Sequence, residues 1–409
     1  MQQSSGKLTH KRGLPGSAGF RSFLTGLEQI STLILNPTKF PAKHDVLFVA
    51  SLSDITVPSD KGFLSQYLHP YVLATQSLDL SSIVILRPNT SGRFAKRTAY
   101  KITLFPRISN LRLMRKILGA IFYGKALLGG VESKLRGAIR SESPTWDKVL
   151  RAVSPKLVIG IGLSDDLCES ARALSIQTIE VQHGFFTEMP KYWKQHLPDY
   201  FFCWDTPSAA KASVAGLNSV VAGHPFDTLV ASRKSSIQDS SSVVCCVGLS
   251  WDEKGTVDSF GSFSPALLSA AKSLEASGVK LVLRLHPVMS SLSNLKVRRY
   301  LREIRNLLPQ ALIHNPYEVS LLDSIAASSF ALTEASSIAF EFALLGKSTV
   351  VLNDKARESL SRAVKRRGLS ENLIQDLNET SELTREIKQQ HPKSASPDLR
   401  FLLAEILKL

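Results

Sequence analysis

Polar residues end an apolar run in TIEVQHGFF (178–186), where Gln182, His183 and Gly184 follow a stretch rich in strand-favouring residues. In open parallel α/β sheets, ligands bind at the carboxyl ends of the strands. An imidazole there could act as a general acid or base, and a glycine lets the backbone pass close to a substrate. We therefore expect these three residues to lie in a substrate cleft. The alternative is a strand that stops in a turn, with His183 an ordinary histidine near the surface.

Acidic residues follow two other predicted strands in the same half of the chain. Asp54 lies just beyond Ser51 at the end of one strand, and Asp165 and Asp166 follow another. A carboxylate in such a position could serve as a general base or as a nucleophile. Asp165 and Asp166 fit equally well in the first turn of a helix with Ser164 as its N-cap, where the helix dipole favours negative charge.

In the second half, Arg284, His286 and Pro287 end the strand-like run VKLVLRLHP (279–287). A cation and an imidazole at a strand end could hold a phosphate group. The alternative is a histidine whose ring caps the end of the strand. Pro287 would then terminate the ladder, because proline has no N–H to donate.

A fourth pattern is LTEASSIAFEFALLGKSTVVL (332–352), in which a strand ending near Thr333 leads through Ser336 and Ser337 into a helix. The free N–H groups and the dipole at such a helix start can bind an anion. Glu341, one helical turn after Ser337, could accept hydrogen bonds from ribose hydroxyls. A plain capped helix with a solvated Glu341 fits the residues equally well. Neither GxGxxG nor GxxxxGK[ST] occurs, so a dinucleotide or P-loop site is not supported.

These motifs belong to two successive sets of alternating strands and helices, which indicate parallel sheets with βαβ crossovers. Strands are predicted at 45–51, 81–88, 156–162, 177–182, 199–205, 219–225, 242–250, 279–287, 310–315, 329–337 and 347–354. The Ser-rich stretch between the sets suits an interdomain linker. We expect two Rossmann-like domains facing a central cleft. The predicted division is a first Rossmann-like domain at 1–230, a linker at 231–242, a second Rossmann-like domain at 243–390 and a terminal helix at 391–409.

The composition is that of a globular protein of two domains. The chain has 409 residues, of which 44% are hydrophobic and 21% charged, and this length exceeds one ordinary core. Its four cysteines show no metal-binding spacing and are expected to be buried free thiols, which fits a reducing compartment. The first residues lack the apolar core of a secretory signal, and no segment approaches the ~20 apolar residues that span a bilayer. A cytoplasmic location is therefore expected.

Positive charge is concentrated in one region. The formal net charge is +15, and residues 85–140 hold thirteen Lys or Arg against one acid, Glu132. The basic residues of 111–140 alternate with Leu, Ile and Phe at roughly helical spacing, so this segment could lie on an anionic membrane surface. An ordinary amphipathic helix with a solvated basic face fits as well. A nucleic-acid patch is less favoured, because no nucleic-acid motif accompanies the charge.

Together the motifs resemble those of a known family. EVQHGFF, PDYFFCWD, VVAGHPFD, LRLHP and TEASSIAFEFALLGKSTVVL resemble, in this order, motifs of bacterial GT-B glycosyltransferases of surface-polysaccharide synthesis. The resemblance is greatest to capsule transferases that handle Kdo or sialic acid, and it extends to polysialyltransferases and teichoic-acid polymerases. It covers residues 156–354 and implies the GT-B fold.

The resemblance also implies roles for individual residues. His286 and Pro287 match a His-Pro motif that contacts the donor phosphate. Ser336 and Ser337 match a serine pair at the nucleotide site, and Glu341 the acid that follows it. Enzymes of this fold generally stabilise the leaving nucleotide with helix dipoles and side chains. We therefore expect no metal and no cofactor beyond the nucleotide-sugar co-substrate.

These expectations combine into a glycosyltransferase that moves a sugar from a nucleotide donor to a growing surface glycan such as capsule or O-antigen. A CMP-sugar is favoured over a UDP-sugar. Asp165 or Asp166 would be the base or nucleophile, and His183 an orienting or acid–base group. Arg284, His286, Pro287, Thr333, Ser336, Ser337 and Glu341 would hold the donor, and Ser51, Asp54, Gln182 and Gly184 would line the acceptor side.

Two other functions remain open at this point. A UDP-sugar 2-epimerase would use the same fold and need no acceptor. A catalytically inactive GT-B-like binding protein would have no turnover at all. For a transferase, the basic region at 85–140 would dock on the inner leaflet near a lipid-linked glycan acceptor, and no nucleic-acid partner is expected.

Overall fold

The computed structural model describes residues 42–50, 54–59, 62–86, 102–104, 146–184, 197–227, 244–248, 264–286, 294–316, 318–334, 336–366, 368–375 and 398–408. Within them the chain forms two parallel sheets flanked by helices, which confirms the predicted α/β class with two Rossmann-like domains. The predicted linker at 231–242 and most of the basic region at 85–140 lie outside the described residues. The domain boundaries therefore stay predictions.

The first domain is built on seven parallel strands, with an antiparallel hairpin inserted after the first of them. In chain order the strands are β1 (Val46–Ala50), the hairpin strands β2 (Ile55–Ser59) and β3 (Gly62–Ser65), β4 (Ser82–Leu86), β5 (Ile102–Leu104), β6 (Leu157–Gly160), β7 (Gln177–Val181), β8 (Tyr200–Cys203) and β9 (Ser219–Val221). The spatial order of the sheet is β5-β4-β1-β6-β7-β8-β9. Because β1 and β6 are buried along their whole length, their sequences are continuous apolar runs.

The second domain is built on six parallel strands in the order β12-β11-β10-β13-β14-β15. They are β10 (Val244–Gly248), β11 (Lys280–Arg284), β12 (Leu312–His314), β13 (Phe330–Thr333), β14 (Thr349–Val351) and β15 (Ile374–Gln375). The strand order reverses between β1 and β6 in the first sheet and between β10 and β13 in the second. Ligands of open α/β sheets bind at such switch points.

Helices cover the faces of both sheets. They are α1 (His69–Ser77), α2 (Trp146–Val153), α3 (Asp165–Ala173), α4 (Thr206–Val214), α5 (Pro265–Ala276), α6 (Asn294–Leu307), α7 (Leu321–Ala326), α8 (Ile338–Leu344), α9 (Asp354–Arg366) and α10 (Leu399–Leu407). Local sequence explains several starts. Asp205 caps α4 by accepting a hydrogen bond from Ser208 N at 2.8 Å, and Ser320 and Asp323 form a capping box at α7.

The terminal helix α10 was expected from its amphipathic sequence, but its packing partner was not. The helix packs against α1, and its Leu403 is fully buried in the core of the first domain. Conversely, Phe226 follows β9 of the first domain but is buried in the core of the second domain beside α8. Each domain therefore contributes a segment to the core of the other.

The four cysteines (Cys168, Cys203, Cys245 and Cys246) are buried free thiols, as predicted. Burial raises the pKa of Cys246 to about 12, so the thiol stays protonated at neutral pH. Among the described residues, no helix is both long enough and apolar enough to cross a membrane.

Candidate functional site

The predicted acidic residues of the first domain lie beside its switch point. Asp165 and Asp166 begin α3, directly after β6, and Ser164 occupies the N-cap position without making a side-chain capping bond. Asp165 Oδ1 is buried and accepts no hydrogen bond from any group in the described part of the chain, whereas Asp166 is exposed. The structure thus fits the helix-start alternative, and also leaves Asp166 accessible at the carboxyl end of β6.

Gln182 was expected to line the substrate cleft, but the structure places it elsewhere. Its side chain is fully buried and does not line the cleft. The amide Nε2 donates to Gly184 O at 2.8 Å and to Ser208 Oγ at 3.3 Å, and Oε1 accepts from Trp204 N at 2.9 Å. Trp204 Nε1 donates to Gln182 O at 2.9 Å. Gln182 therefore holds the chain after β7 in place, because all the hydrogen-bonding groups of its amide are directed into the domain.

His183 and His286 lie in different domains but interact electrostatically. His183 follows β7 in the first domain and is exposed, and His286 follows β11 in the second and is partly buried. The pKa of His286 is lowered to about 4, mainly by burial and secondly by the charge of His183. The two imidazoles are thus within electrostatic reach of each other. His286 is neutral at pH 7, so its ring has one donor and one acceptor nitrogen.

Arg284 points into the second domain and not toward a phosphate. Its side chain is only 7% exposed, and Nη1 donates to Val319 O and to Ser324 Oγ, the latter at 3.0 Å. Ser324 Oγ also lies 3.0 Å from His314 Nδ1. Burial lowers the pKa of Arg284 to about 10, so the guanidinium remains a cation at neutral pH. The prediction of a direct phosphate contact is corrected to an interior charge behind the strand end.

The prediction that Thr333 contacts the donor is also corrected. The residue is fully buried, and its Oγ1 donates to Gly248 O at 3.0 Å, which ties the end of β13 to the end of β10.

The serine pair, Ser336 and Ser337, lies at the start of α8. Ser336 Oγ accepts a long hydrogen bond of 3.4 Å from Ile338 N, while Ser337 at the N-cap of α8 makes no side-chain capping bond. The expected hydroxyl cap is therefore made by Ser336.

Glu341 is buried, so the alternative of a solvated carboxylate on α8 is wrong. It is 1% exposed, and its Oε1 has no hydrogen-bond partner in the described part of the chain. Burial raises its pKa to about 8, against the opposing effect of Arg284. Tyr67, which follows the β2–β3 hairpin of the first domain, has a raised pKa because of burial and then the charges of Glu341 and Asp54. Glu341 and Asp54 therefore approach the same tyrosine from different domains.

Three aromatic residues that the sequence did not single out connect the domains. Trp204 and His224 follow β8 and β9, and their ring centroids are 4.1 Å apart. Phe340 of α8 lies 6.3 Å from Trp204, nearly parallel at 17°, and 5.2 Å from His224. His224 Nδ1 accepts from Phe226 N at 3.1 Å. The signal that could have revealed this cluster is Trp204 directly after β8 and His224 three residues after β9.

Some predicted residues cannot be placed. Ser51, Pro287 and the basic residues of 105–140 lie outside the described residues, and Gly184 is partly exposed directly after Gln182. Where the chain is described, no group of three or more His, Cys, Asp or Glu side chains is arranged to hold a metal ion.

Comparison with known proteins gives the fold. No family model matches the chain, and no curated protein matches it. Among solved structures, S. aureus MnaA with UDP has a TM-score of 0.52 at 14% identity, covering 90% of this chain and 96% of its own. The Methanocaldococcus jannaschii UDP-GlcNAc 2-epimerase with UDP-GlcNAc and UDP has a TM-score of 0.51 at 14% identity, covering 89% and 99%. The chain therefore has the GT-B fold, with two Rossmann-like α/β domains.

Proposed function

We propose that the protein is a glycosyltransferase that moves a sugar from a nucleotide-activated donor to a growing surface glycan. The observation that carries this proposal is the pair His183 and His286. These residues follow parallel strands of different domains, yet the charge of one lowers the pKa of the other. A donor held by the second domain and an acceptor held by the first would meet between them.

The proposed roles follow from exposure and charge. His183 is exposed at its strand end and is accessible to an acceptor hydroxyl, as a general base must be. His286 is neutral and supplies a hydrogen bond to the donor phosphate. Ser336 and Ser337 contribute hydroxyl groups on the same side, and Arg284 contributes positive charge from the interior. Fixed charges and dipoles of this kind stabilise a leaving phosphate without reorganisation during the reaction.

Glu341 and the acids after β6 complete the proposal. A ribose hydroxyl could donate to Glu341 Oε1, which has no protein partner among the described residues. Asp166 is exposed in the first turn of α3, which follows β6, and is the better placed of the two neighbouring acids to act as a base or nucleophile, whereas Asp165 Oδ1 is buried. The basic region at 85–140 would hold the lipid-linked acceptor at an anionic inner leaflet.

A UDP-sugar 2-epimerase is the second candidate. The solved structures with TM-scores of 0.52 and 0.51 contain UDP, and one of them is named as a UDP-GlcNAc 2-epimerase. This candidate favours UDP over CMP as the bound nucleotide. It requires no acceptor, and that requirement separates the two functions experimentally.

Nucleotide binding is the first test. Thermal unfolding with CMP, UDP or GDP should reveal stabilisation by one of them, since a ligand at ~100 times its dissociation constant adds about 2.7 kcal/mol. His286→Ala should remove most of that stabilisation. The matched control is His44→Ala, because His44 precedes β1 and so lies at the amino ends of the parallel strands, opposite the carboxyl ends that His183 and His286 follow. Stabilisation by no nucleotide contradicts both enzymatic functions and favours the inactive binding protein.

Product analysis is the second test. An epimerase converts UDP-GlcNAc to its C2 epimer without any acceptor, which NMR spectroscopy detects directly. A transferase leaves the donor sugar unchanged until a glycan acceptor is supplied, and then releases the nucleotide as the glycan grows. His286→Ala should abolish either activity while His44→Ala retains it. Full activity in His286→Ala would contradict the proposed site.

A further inference from the structure

The buried indole of Trp204 makes ring-packing contacts and also a hydrogen bond through its N–H. It is 3% exposed, and on one side it packs against His224 and against Phe340 of the second domain. A buried indole N–H needs an acceptor. Here the acceptor is the main-chain oxygen of Gln182, at 2.9 Å. Trp204 therefore links α8 of the second domain to the residue that directly precedes His183.

The chain on either side of His183 is fixed by hydrogen bonds. Before it, Gln182 N donates to Phe202 O at 3.0 Å and Gln182 O accepts from the Trp204 indole. After it, Gly184 O accepts from Gln182 Nε2 at 2.8 Å. Since both neighbours of His183 are held, the direction in which its backbone presents the imidazole is set by the Gln182 amide and the Trp204 indole.

We propose that Gln182 and Trp204 are a positioning pair that holds His183 opposite His286, with Phe340 packing the pair against the donor-side domain. This inference rests on the proposed function for its catalytic meaning, because His183 is the group that the pair would position for the acceptor. The geometry distinguishes the pair from ordinary core contacts. Its hydrogen bonds fix Gln182 and Gly184, the residues on either side of His183, and the charge of His183 lowers the pKa of His286 in the other domain.

Two substitutions test the pair by different routes. Trp204→Phe removes the indole N–H but keeps an aromatic ring against His224 and Phe340. Gln182→Met keeps the length of the side chain and adds no charge, but it removes the amide that bonds to Gly184 O, Ser208 Oγ and Trp204 N. The matched control is Trp146→Phe, since Trp146 is also buried, at 4% exposure, but lies in α2 among a separate apolar cluster.

The first readout needs no substrate. Histidine-labelled protein is titrated by NMR, and the His286 resonance is identified by its loss in His286→Ala. His183→Ala should raise the pKa of His286, because a nearby positive charge is removed. Trp204→Phe and Gln182→Met should also raise the pKa of His286, by no more than His183→Ala does, and should produce no further rise when combined with His183→Ala. Trp146→Phe should leave it unchanged.

The second readout is turnover of a nucleotide sugar whose nucleotide stabilises the protein in the thermal unfolding test. Misplacing a reacting group by about 1 Å can lower the rate about 10²-fold, so kcat should fall by that order in Trp204→Phe with little change in the donor KM. An unchanged His286 pKa in both variants would overturn the positioning role, even if both are less stable. Failure of the wild-type protein to turn over any nucleotide sugar would refute the proposed function alone, because the NMR titration still tests the pair.

Discussion

Glu341 provides a test of the site that depends on a single buried carboxyl group. It lies on α8, its Oε1 has no hydrogen-bond partner among the described residues, and the nearby Arg284 only partly offsets the effect of burial. The perturbation is Glu341→Gln, which preserves the shape of the side chain but cannot ionise. Any pH dependence that arises from Glu341 must therefore be missing in this variant.

The magnitude follows from the two protonation equilibria. In the folded protein the pKa of Glu341 is raised from its ordinary value of 4.5 to about 8. Between these values the unfolded chain binds fewer protons than the folded one, so the free energy of unfolding falls as the pH rises. Each pH unit is equivalent to about 1.4 kcal/mol, and ionisation of Glu341 therefore costs the folded state at most about 5 kcal/mol. The stabilising contribution is complete below pH 4.5 and is lost by about pH 8.

The assay is urea unfolding of the wild-type protein and of Glu341→Gln at intervals from pH 5 to pH 9. The difference in unfolding free energy between them should change steadily up to about pH 8 and then level off. Glu358→Gln is the matched control, because Glu358 is a glutamate on α9 whose side chain is 71% exposed. Parallel pH profiles for the wild-type protein and Glu341→Gln would refute the assignment of a raised pKa to this carboxyl.

The remaining predictions concern packing and the cleft. Lys347→Met should destabilise the protein by about 3 kcal/mol in urea unfolding, because the buried ammonium donates to three main-chain carbonyls; the exposed Lys355→Met should change stability by less than about 0.5 kcal/mol. Gly160→Ala should cost about 1–3 kcal/mol, since its Cβ would lie 2.9 Å from Val49 O. At Gly184, by contrast, a Cβ would have nothing within 4 Å, so Gly184→Ala should keep the melting temperature and lower turnover only if substrate passes this residue. Equal stability loss at the two glycines would contradict the packing argument.

The fold was readable from the sequence because both sheets are parallel and covered on two faces. Such strands must be apolar along their whole length, as β1 and β6 are, and their ends are then marked by the first polar residues. The hairpin β2–β3 and the short strands β5 and β15 were not predicted. Their sequences, ITVPS, GFLS, ITL and IQ, lack the longer continuous apolar runs by which the buried strands were recognised.

The sequence did not show which way the polar side chains at the strand ends point. Gln182, Arg284 and Thr333 all sit where a ligand-binding residue would sit, yet each points into its own domain. Their side chains bond to partners 22, 40 and 85 residues away along the chain. Sequence position gives the end of a strand, but the partner that turns a side chain inward is brought there only by the topology.

Because these side chains point into their domains, fewer residues are available to act on a substrate. A buried amide takes no part in proton transfer, so among the described residues that follow β7 (182–184) His183 is the one with a titratable side chain. Sugar transfer needs one such group on the acceptor, together with charge stabilisation of the leaving phosphate. Inversion of a sugar carbon by removal and return of its proton needs two groups placed around one atom. For epimerisation, His183 would have to work with Asp166 on the neighbouring strand end, since β6 and β7 are paired. Transfer requires fewer catalytic groups in the described site than epimerisation does. Whether turnover requires an acceptor is the observation that decides between the two functions.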